Sequence, residues 1–97
     1  MTIDIIAEQL RAQAENVSPI GARLKFVLDD ETIMIDGSGD KNVVSMDDGE
    51  ADTVIITSKE TLMKLKKGEL NPMMAVMGGK VKIKGDMGLA MKLQSLL

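Results

Sequence analysis

Between Ala22 and Thr57 the apolar residues alternate in short runs separated by acidic or glycine-containing turns, while the flanking segments repeat at helical spacing. A block of strands bracketed by helices belongs to the α+β class, and its sheet needs a helical layer on one face. At 97 residues the chain has the size of one domain with one core. A single unit over residues 1–97 is expected.

The first helix is capped by Thr2 and carries Ile3, Ile6, Ala7, Leu10, Ala14 and Val17 on one stripe, until Ser18-Pro19 and Gly21 end it. Ala22, Leu24, Phe26 and Leu28 then share one strand face, opposite Arg23 and Lys25. Asp29-Asp30-Glu31 turns the chain into a second strand, Thr32 to Asp36, and Gly37 to Asp40 forms the next turn. Val43 to Met46 and Thr53 to Thr57 read as two more strands around the turn Asp47-Asp48-Gly49. Short polar connections between the four predict an antiparallel meander.

Thr57-Ser58-Lys59-Glu60 has capping-box form, with Thr57 as the expected cap of a second helix ending at Lys66-Lys67-Gly68. Asn71-Pro72 opens a very short, wholly apolar third helix, Met73 to Met77, closed by Gly78-Gly79. Lys80-Val81-Lys82-Ile83-Lys84 alternates strictly, with its lysines on one face and Val81 and Ile83 on the other, and predicts a fifth strand at an edge or with a water-facing side, because positive charge discourages further pairing. Gly85-Asp86 opens a last helix in which Met87, Leu89, Ala90, Met91, Leu93, Leu96 and Leu97 leave only Lys92, Gln94 and Ser95 polar. That apolar arc is wider than one packing contact needs.

Composition removes several chemistries. Cys, His, Trp and Tyr are absent and Phe26 is the only aromatic. No thiolate or imidazole metal site, disulfide, or His-activated nucleophile can be built. The acidic clusters Asp29-Asp30-Glu31 and Asp47-Asp48-Gly49-Glu50 lack the ligand spacing of an EF-hand, and neither glycine cluster matches a phosphate-binding loop, so no metal or cofactor is expected. Hydroxyls and carboxylates without an evident base argue against an enzyme. One aromatic and a net charge of -3 argue against a nucleic-acid partner. Charge is nevertheless segregated, at -8 up to Thr57 and +5 from Ser58 onward. The basic region is either a solvated face or one suited to anionic head groups. The N-terminus lacks the basic region of a signal peptide, and no apolar run reaches the roughly 18 residues of a membrane span, so a cytoplasmic protein is expected.

Six of nine methionines, Met63, Met73, Met74, Met77, Met87 and Met91, follow residue 62. Methionine fills irregular cores and also lines walls that adapt to more than one apolar ligand. Both roles fit this pattern.

Gly68-Glu69-Leu70-Asn71-Pro72, the strand Gly79-Lys80-Val81-Lys82-Ile83-Lys84-Gly85 and the helix start Met87-Gly88-Leu89-Ala90-Met91-Lys92-Leu93 occur in that order. In these stretches the chain resembles the sterol carrier protein type-two lipid-transfer domain; upstream, the order of elements agrees. The resemblance implies a five-stranded, mostly antiparallel sheet covered by helices that enclose a hydrophobic tunnel. It also implies a non-enzymatic intracellular carrier of sterols, fatty acids, fatty acyl-CoA or phospholipids. The lining would be Leu24 and Phe26 from the first strand, Met63, Met73, Met74, Val76 and Met77 from the middle helices, and Met87, Leu89 and Met91 from the last. For such a carrier the charge pattern offers a polar mouth, at which a lysine such as Lys80, Lys82, Lys84 or Lys92 would attract a lipid phosphate or carboxylate, or make transient contact with the anionic membrane surface from which the lipid comes. Val76 and Met77 replace bulky family aromatics, and Gly78 replaces a family glutamine, which implies a more pliable wall with one polar contact fewer. Because the chain stops at Leu97 without a peroxisomal address, a stand-alone cytosolic form is expected. The alternative is an accessory or dimerisation module that docks a partner enzyme through an exposed apolar face.

Overall fold

The computed structural model describes residues 2–92 and Leu96. Among these residues four helices and five strands follow in the order α1 (Ile3–Ala14), β1 (Arg23–Leu28), β2 (Glu31–Asp36), β3 (Val43–Ser45), β4 (Thr53–Thr57), α2 (Lys59–Lys66), α3 (Pro72–Met77), β5 (Lys82–Gly85) and α4 (Met87–Met91). The expected continuation of the last helix through Leu93, Gln94, Ser95 and Leu97 lies outside the described residues.

The strands form one sheet in the order β3-β2-β1-β4-β5. β1 and β2 join through Asp29 and Asp30, both at positive φ (50° and 71°), as a two-residue turn of the I′ kind requires. β3 pairs antiparallel with β2, and β5 antiparallel with β4. The four-strand meander does not form, because β4 runs parallel to β1, with Leu24 opposite Thr53 and Phe26 opposite Ile55. The sheet is therefore mixed, with one parallel pairing. What reads as a hairpin turn at Asp47-Asp48-Gly49 is a crossover. From β3 to β4 it spans three inter-strand steps, about 14 Å, within reach of the intervening residues at about 3.3 Å each.

The crossover lies on the sheet face away from the helices, where β1 presents Arg23 and Lys25. Lys25 Nζ donates to Asp48 Oδ1 at 3.1 Å and to the Gly49 carbonyl at 3.0 Å, and Arg23 pairs with Asp47 at 3.2 Å. Met34 faces the same way and is buried. At the end of β2, the Asp36 carboxylate accepts bonds from the Ser38 hydroxyl and the Ser38 N–H, which with nearby Arg23 hold its pKa below the ordinary value.

The opposite face carries the core. Leu24, Phe26 and Leu28 of β1, Ile33 and Ile35 of β2, and Ile55 of β4 are fully buried beneath the helices. α1 contributes Ile6, Ala7, Leu10 and Ala14 and packs toward β2 and β3, while α4 covers β4 and β5. Leu62 of α2 and Leu96 complete this layer.

The expected caps Thr2 on α1 and Asn71 on α3 hold, and Asp86 caps α4. The cap of α2 is Ser58, whose Oγ accepts the Thr61 N–H at 3.0 Å. Thr57 is retained by β4, where it pairs with Leu28 and donates its hydroxyl to the Lys80 carbonyl at 2.8 Å.

Asn42 joins α1 to the sheet. Its Oδ1 accepts the Ile20 N–H at 3.0 Å, and its Nδ2 donates to the carbonyls of Val17 and Ser18 at 3.1 Å each. Asn42→Ala strands a part-buried N–H and is expected to cost about 2 kcal/mol, read as a lower urea midpoint. Asn42→Asp keeps the acceptor for Ile20 but sets a carboxylate oxygen against the carbonyls of Val17 and Ser18, and should not recover the loss.

Candidate functional site

An apolar cleft lies between the C-terminal helices and β5. Leu65 of α2, Pro72 and Val76 of α3, Val81 and Ile83 of the β5 segment, and Ala90 and Met91 of α4 line it. Its volume is about 20 Å³, barely room for one water molecule. At that volume the cleft is closed, with α3 and α4 on facing walls.

Its walls are slight. α3 has six residues and buries only Ala75; α4 has five and buries Leu89 and Ala90. α3 is held at its start by Asn71 Oδ1, which accepts the Met73 N–H at 2.9 Å. At its end the Ala75 carbonyl accepts the N–H groups of Lys80 and Val81 at 2.9 and 3.2 Å. Between these anchors Gly79 takes a φ of +78°, the left-handed conformation in which glycine is unstrained. A helix with one buried residue and a glycine hinge sits at the low-stability end of a fold.

Two roomier concavities are polar. One, of about 430 Å³, is lined by Asp29, Asp30, Glu60, Lys64, Lys80 and Lys82 beside Val27 and Ile56. The other, of about 420 Å³, includes Asp52, Asp86 and Lys92. An apolar chain placed in either would have to desolvate charged groups, whereas in the α3–α4 cleft it meets only hydrocarbon and thioether.

The residues expected to line the tunnel separate into three groups. Val76 and Met91 line the cleft. Leu24, Phe26 and Leu89 are buried, and Met63 packs half-buried against the core. Met73, Met74, Met77 and Met87 are exposed on the outer sides of α3 and α4. Among the lysines, Lys82 and Lys84 project from the face of β5 opposite Ile83; Lys80 and Lys82 line the larger polar concavity together with Glu60 and Lys64 of α2. Lys92 Nζ donates to the Ile20 carbonyl at 3.0 Å.

Leu65, Pro72, Val81, Ile83 and Ala90 were not in the expected lining. Val81 and Ile83 form the apolar side of the alternating lysine strand, and that side had to face something apolar. Ala90 carried no such signal, since its importance is the space a small side chain leaves.

Among the described residues no group of Asp or Glu side chains is placed to hold a metal ion. The two acidic clusters are tied into the fold: Asp29 accepts the Lys59 N–H, Glu31 pairs with Lys59, and Asp47 and Asp48 hold the crossover. Among the same residues no helix is long and apolar enough to cross a membrane.

The model of the SCP-2 sterol transfer family matches residues 4–97. Sterol carrier protein 2 of Rattus norvegicus is 38% identical over 99 residues, which cover 94% of this chain and 18% of the rat protein. Hydroxysteroid dehydrogenase-like protein 2 of Xenopus tropicalis is 48% identical over 48 residues, covering 50% of this chain and 12% of that protein. The chain thus spans less than a fifth of the length of these curated relatives. The solution structure of the sterol carrier protein domain 2 of Helicoverpa armigera superposes with a TM-score of 0.76 at 29% identity, covering 95% of this chain and 82% of that one.

Proposed function

Since the chain belongs to the SCP-2 sterol transfer family, a family of lipid-binding and lipid-transfer domains, we propose that it carries one elongated lipid in the α3–α4 cleft without performing chemistry on it. The observation that carries this reading is the cleft itself: wholly apolar, backed by the core, and closed on one side by a helix with a single buried residue. Displacing α3 about Gly79 widens the cleft at the cost of few buried contacts. Met73, Met74, Met77 and Met87 then turn inward and line the widened tunnel with Met91 and Val76. Unbranched, polarizable methionine side chains suit both states.

The energetics permit this. At about 0.8 kcal/mol per buried CH2, a dozen methylenes contribute about 10 kcal/mol, against about 8 kcal/mol for micromolar affinity. The margin offsets only a modest opening and ordering cost, which favours a wall as weakly held as α3. Selectivity would rest on chain length and shape, so fatty acids, fatty acyl-CoA, sterols and phospholipids are all candidate cargo classes. The reading also takes residues 1–97 as one lipid-binding unit acting in the cytoplasm. Membership of a lipid-transfer family favours the carrier over the alternative of a module that docks a partner enzyme.

Titration of detergent-free protein with a fluorescent fatty-acid probe tests the proposal. Saturable one-to-one binding, displaced by palmitate and oleoyl phosphatidylglycerol, is expected; no saturable binding overturns it.

A further inference from the structure

Methionine is the one side chain through which this chain is open to mild oxidation, since Cys, His, Trp and Tyr are absent. The thioethers are unevenly placed. Met73, Met74 and Met77 of α3 are 54%, 64% and 80% exposed, and Met87 and Met91 of α4 are 51% and 38% exposed. All five belong to the two helices that face each other across the apolar cleft, where Val76 lines one wall and Ala90 and Met91 the other. Met34 is buried, and Met63 packs half-buried against the core. Met46 is 43% exposed but follows β3, at the sheet edge opposite β5.

Open and closed states treat an oxidised methionine differently. In the closed protein these side chains stand in water, where a sulfoxide oxygen keeps its hydration. With an acyl chain in the tunnel the same side chains turn inward, among Leu65, Pro72, Val76, Val81, Ile83 and Ala90. None of those side chains can donate a hydrogen bond. Each sulfoxide that follows the cargo inward therefore loses water without compensation.

We propose that Met73, Met74, Met77, Met87 and Met91 form a reversible oxidation site that shuts the tunnel to cargo. The oxidant is hydrogen peroxide. The thioether sulfur attacks one peroxide oxygen, so that an S–O bond forms as the O–O bond breaks and sulfur gives up two electrons. The departing oxygen takes the proton of the transferred one and leaves as water. Repair by sulfoxide reductases removes the oxygen as water while two thiols become a disulfide, with one enzyme for each sulfoxide epimer. The inference rests on the carrier reading, because it concerns regulation of the same tunnel.

The test treats probe-free protein with hydrogen peroxide until peptide mapping shows Met73, Met74 and Met77 oxidised and Met34 intact, then titrates a fluorescent fatty-acid probe. Affinity should fall on the order of 30-fold. The far-ultraviolet circular dichroism spectrum should be unchanged, and affinity should return after incubation with both reductases and a thiol. Prior saturation with palmitate should slow oxidation of Met73, Met74 and Met77, which the cargo draws inward, and leave that of Met46 as it was. Peroxide should leave the quintuple variant M73L/M74L/M77L/M87L/M91L at its own starting affinity, whereas Met46→Leu should lose as much as the unaltered protein. Affinity that survives oxidation of the α3 methionines, a loss that persists in the quintuple variant, or a loss that tracks unfolding overturns the proposal. So does oxidation of the α3 methionines at one rate with and without bound palmitate. A reduced protein that binds no probe removes the carrier reading and the switch with it, while equal binding by reduced and oxidised protein removes the switch alone.

Discussion

Gly85→Ala is expected to lower the unfolding free energy by about 3 kcal/mol or more. Gly85 is the last residue of β5, pairs with Thr53 and holds a φ of +108°, which side-chain-bearing residues rarely adopt. A β-carbon there would lie 2.3 Å from the Asp52 carbonyl oxygen and 3.1 Å from Thr53 Cα. Both are backbone atoms, so relief requires β5 to separate from β4. Thr53 also donates its hydroxyl to the Asp86 carbonyl at 3.1 Å, and the same shift would pull the α4 cap from its place. At a urea slope of about 1.5 kcal/mol per molar, the midpoint should fall by about 2 M. Without Trp or Tyr the transition is best followed by far-ultraviolet circular dichroism. Gly39→Ala, where a β-carbon meets nothing within 4 Å, should change stability by less than about 0.5 kcal/mol and serves as the control.

Val76→Asp is expected to weaken binding of a fluorescent fatty-acid probe on the order of 100-fold. Val76 lines the cleft from α3 and is only half-buried, so in the closed protein a carboxylate there can still reach water. With an acyl chain in the tunnel it cannot. The several kcal/mol needed to strip water from the charge then oppose binding, at 1.4 kcal/mol per tenfold. A fatty-acid carboxylate nearby would add repulsion. The stability loss should stay near 1–2 kcal/mol, because α3 is peripheral. Val76→Met, apolar and flexible, should bind the probe within a fewfold of the unaltered protein. Unchanged affinity for Val76→Asp would move the cargo out of this cleft.

Local structure was legible where one physical rule dominated. The stripe from Ile6 to Ala14, the strict alternation of β5 and the Asn71-Pro72 start of α3 each depend on near neighbours, and all were readable from spacing and cap chemistry. The lysines of β5 read as an edge or a water-facing side, and the strand lies at the edge. The parallel pairing of β1 with β4 was not legible, because a turn signal between alternating runs reads identically whether the chain reverses or crosses over. The deciding contacts, Arg23 to Asp47 and Lys25 to Asp48, are long-range. Asn42 escaped notice for the same reason, since its four partners lie in a segment more than twenty residues away.

For the site, spacing gave the apolar character of α3 and α4 but not which methionines face inward. In so short a helix the arc is fixed by Ala75, the one buried position, and an alanine among methionines does not announce itself. The family pattern supplied the cleft's location between sheet and C-terminal helices, and Val76 and Met91 lie on it. The carrier reading places the lysines at a mouth. Alternation puts the same lysines on the strand face opposite Val81 and Ile83, and Lys82 and Lys84 lie there.

The central claim, that the closed cleft opens to hold one lipid, is tested most directly by a native mass spectrum of protein purified without detergent, followed by solvent extraction of whatever it carries. The account predicts a substoichiometric to one-to-one adduct whose extracted component is a fatty acid, acyl ester, sterol or phospholipid. A bare mass that stays bare after incubation with palmitate would mean that α3 and α4 pack as a permanent core, and would contradict it.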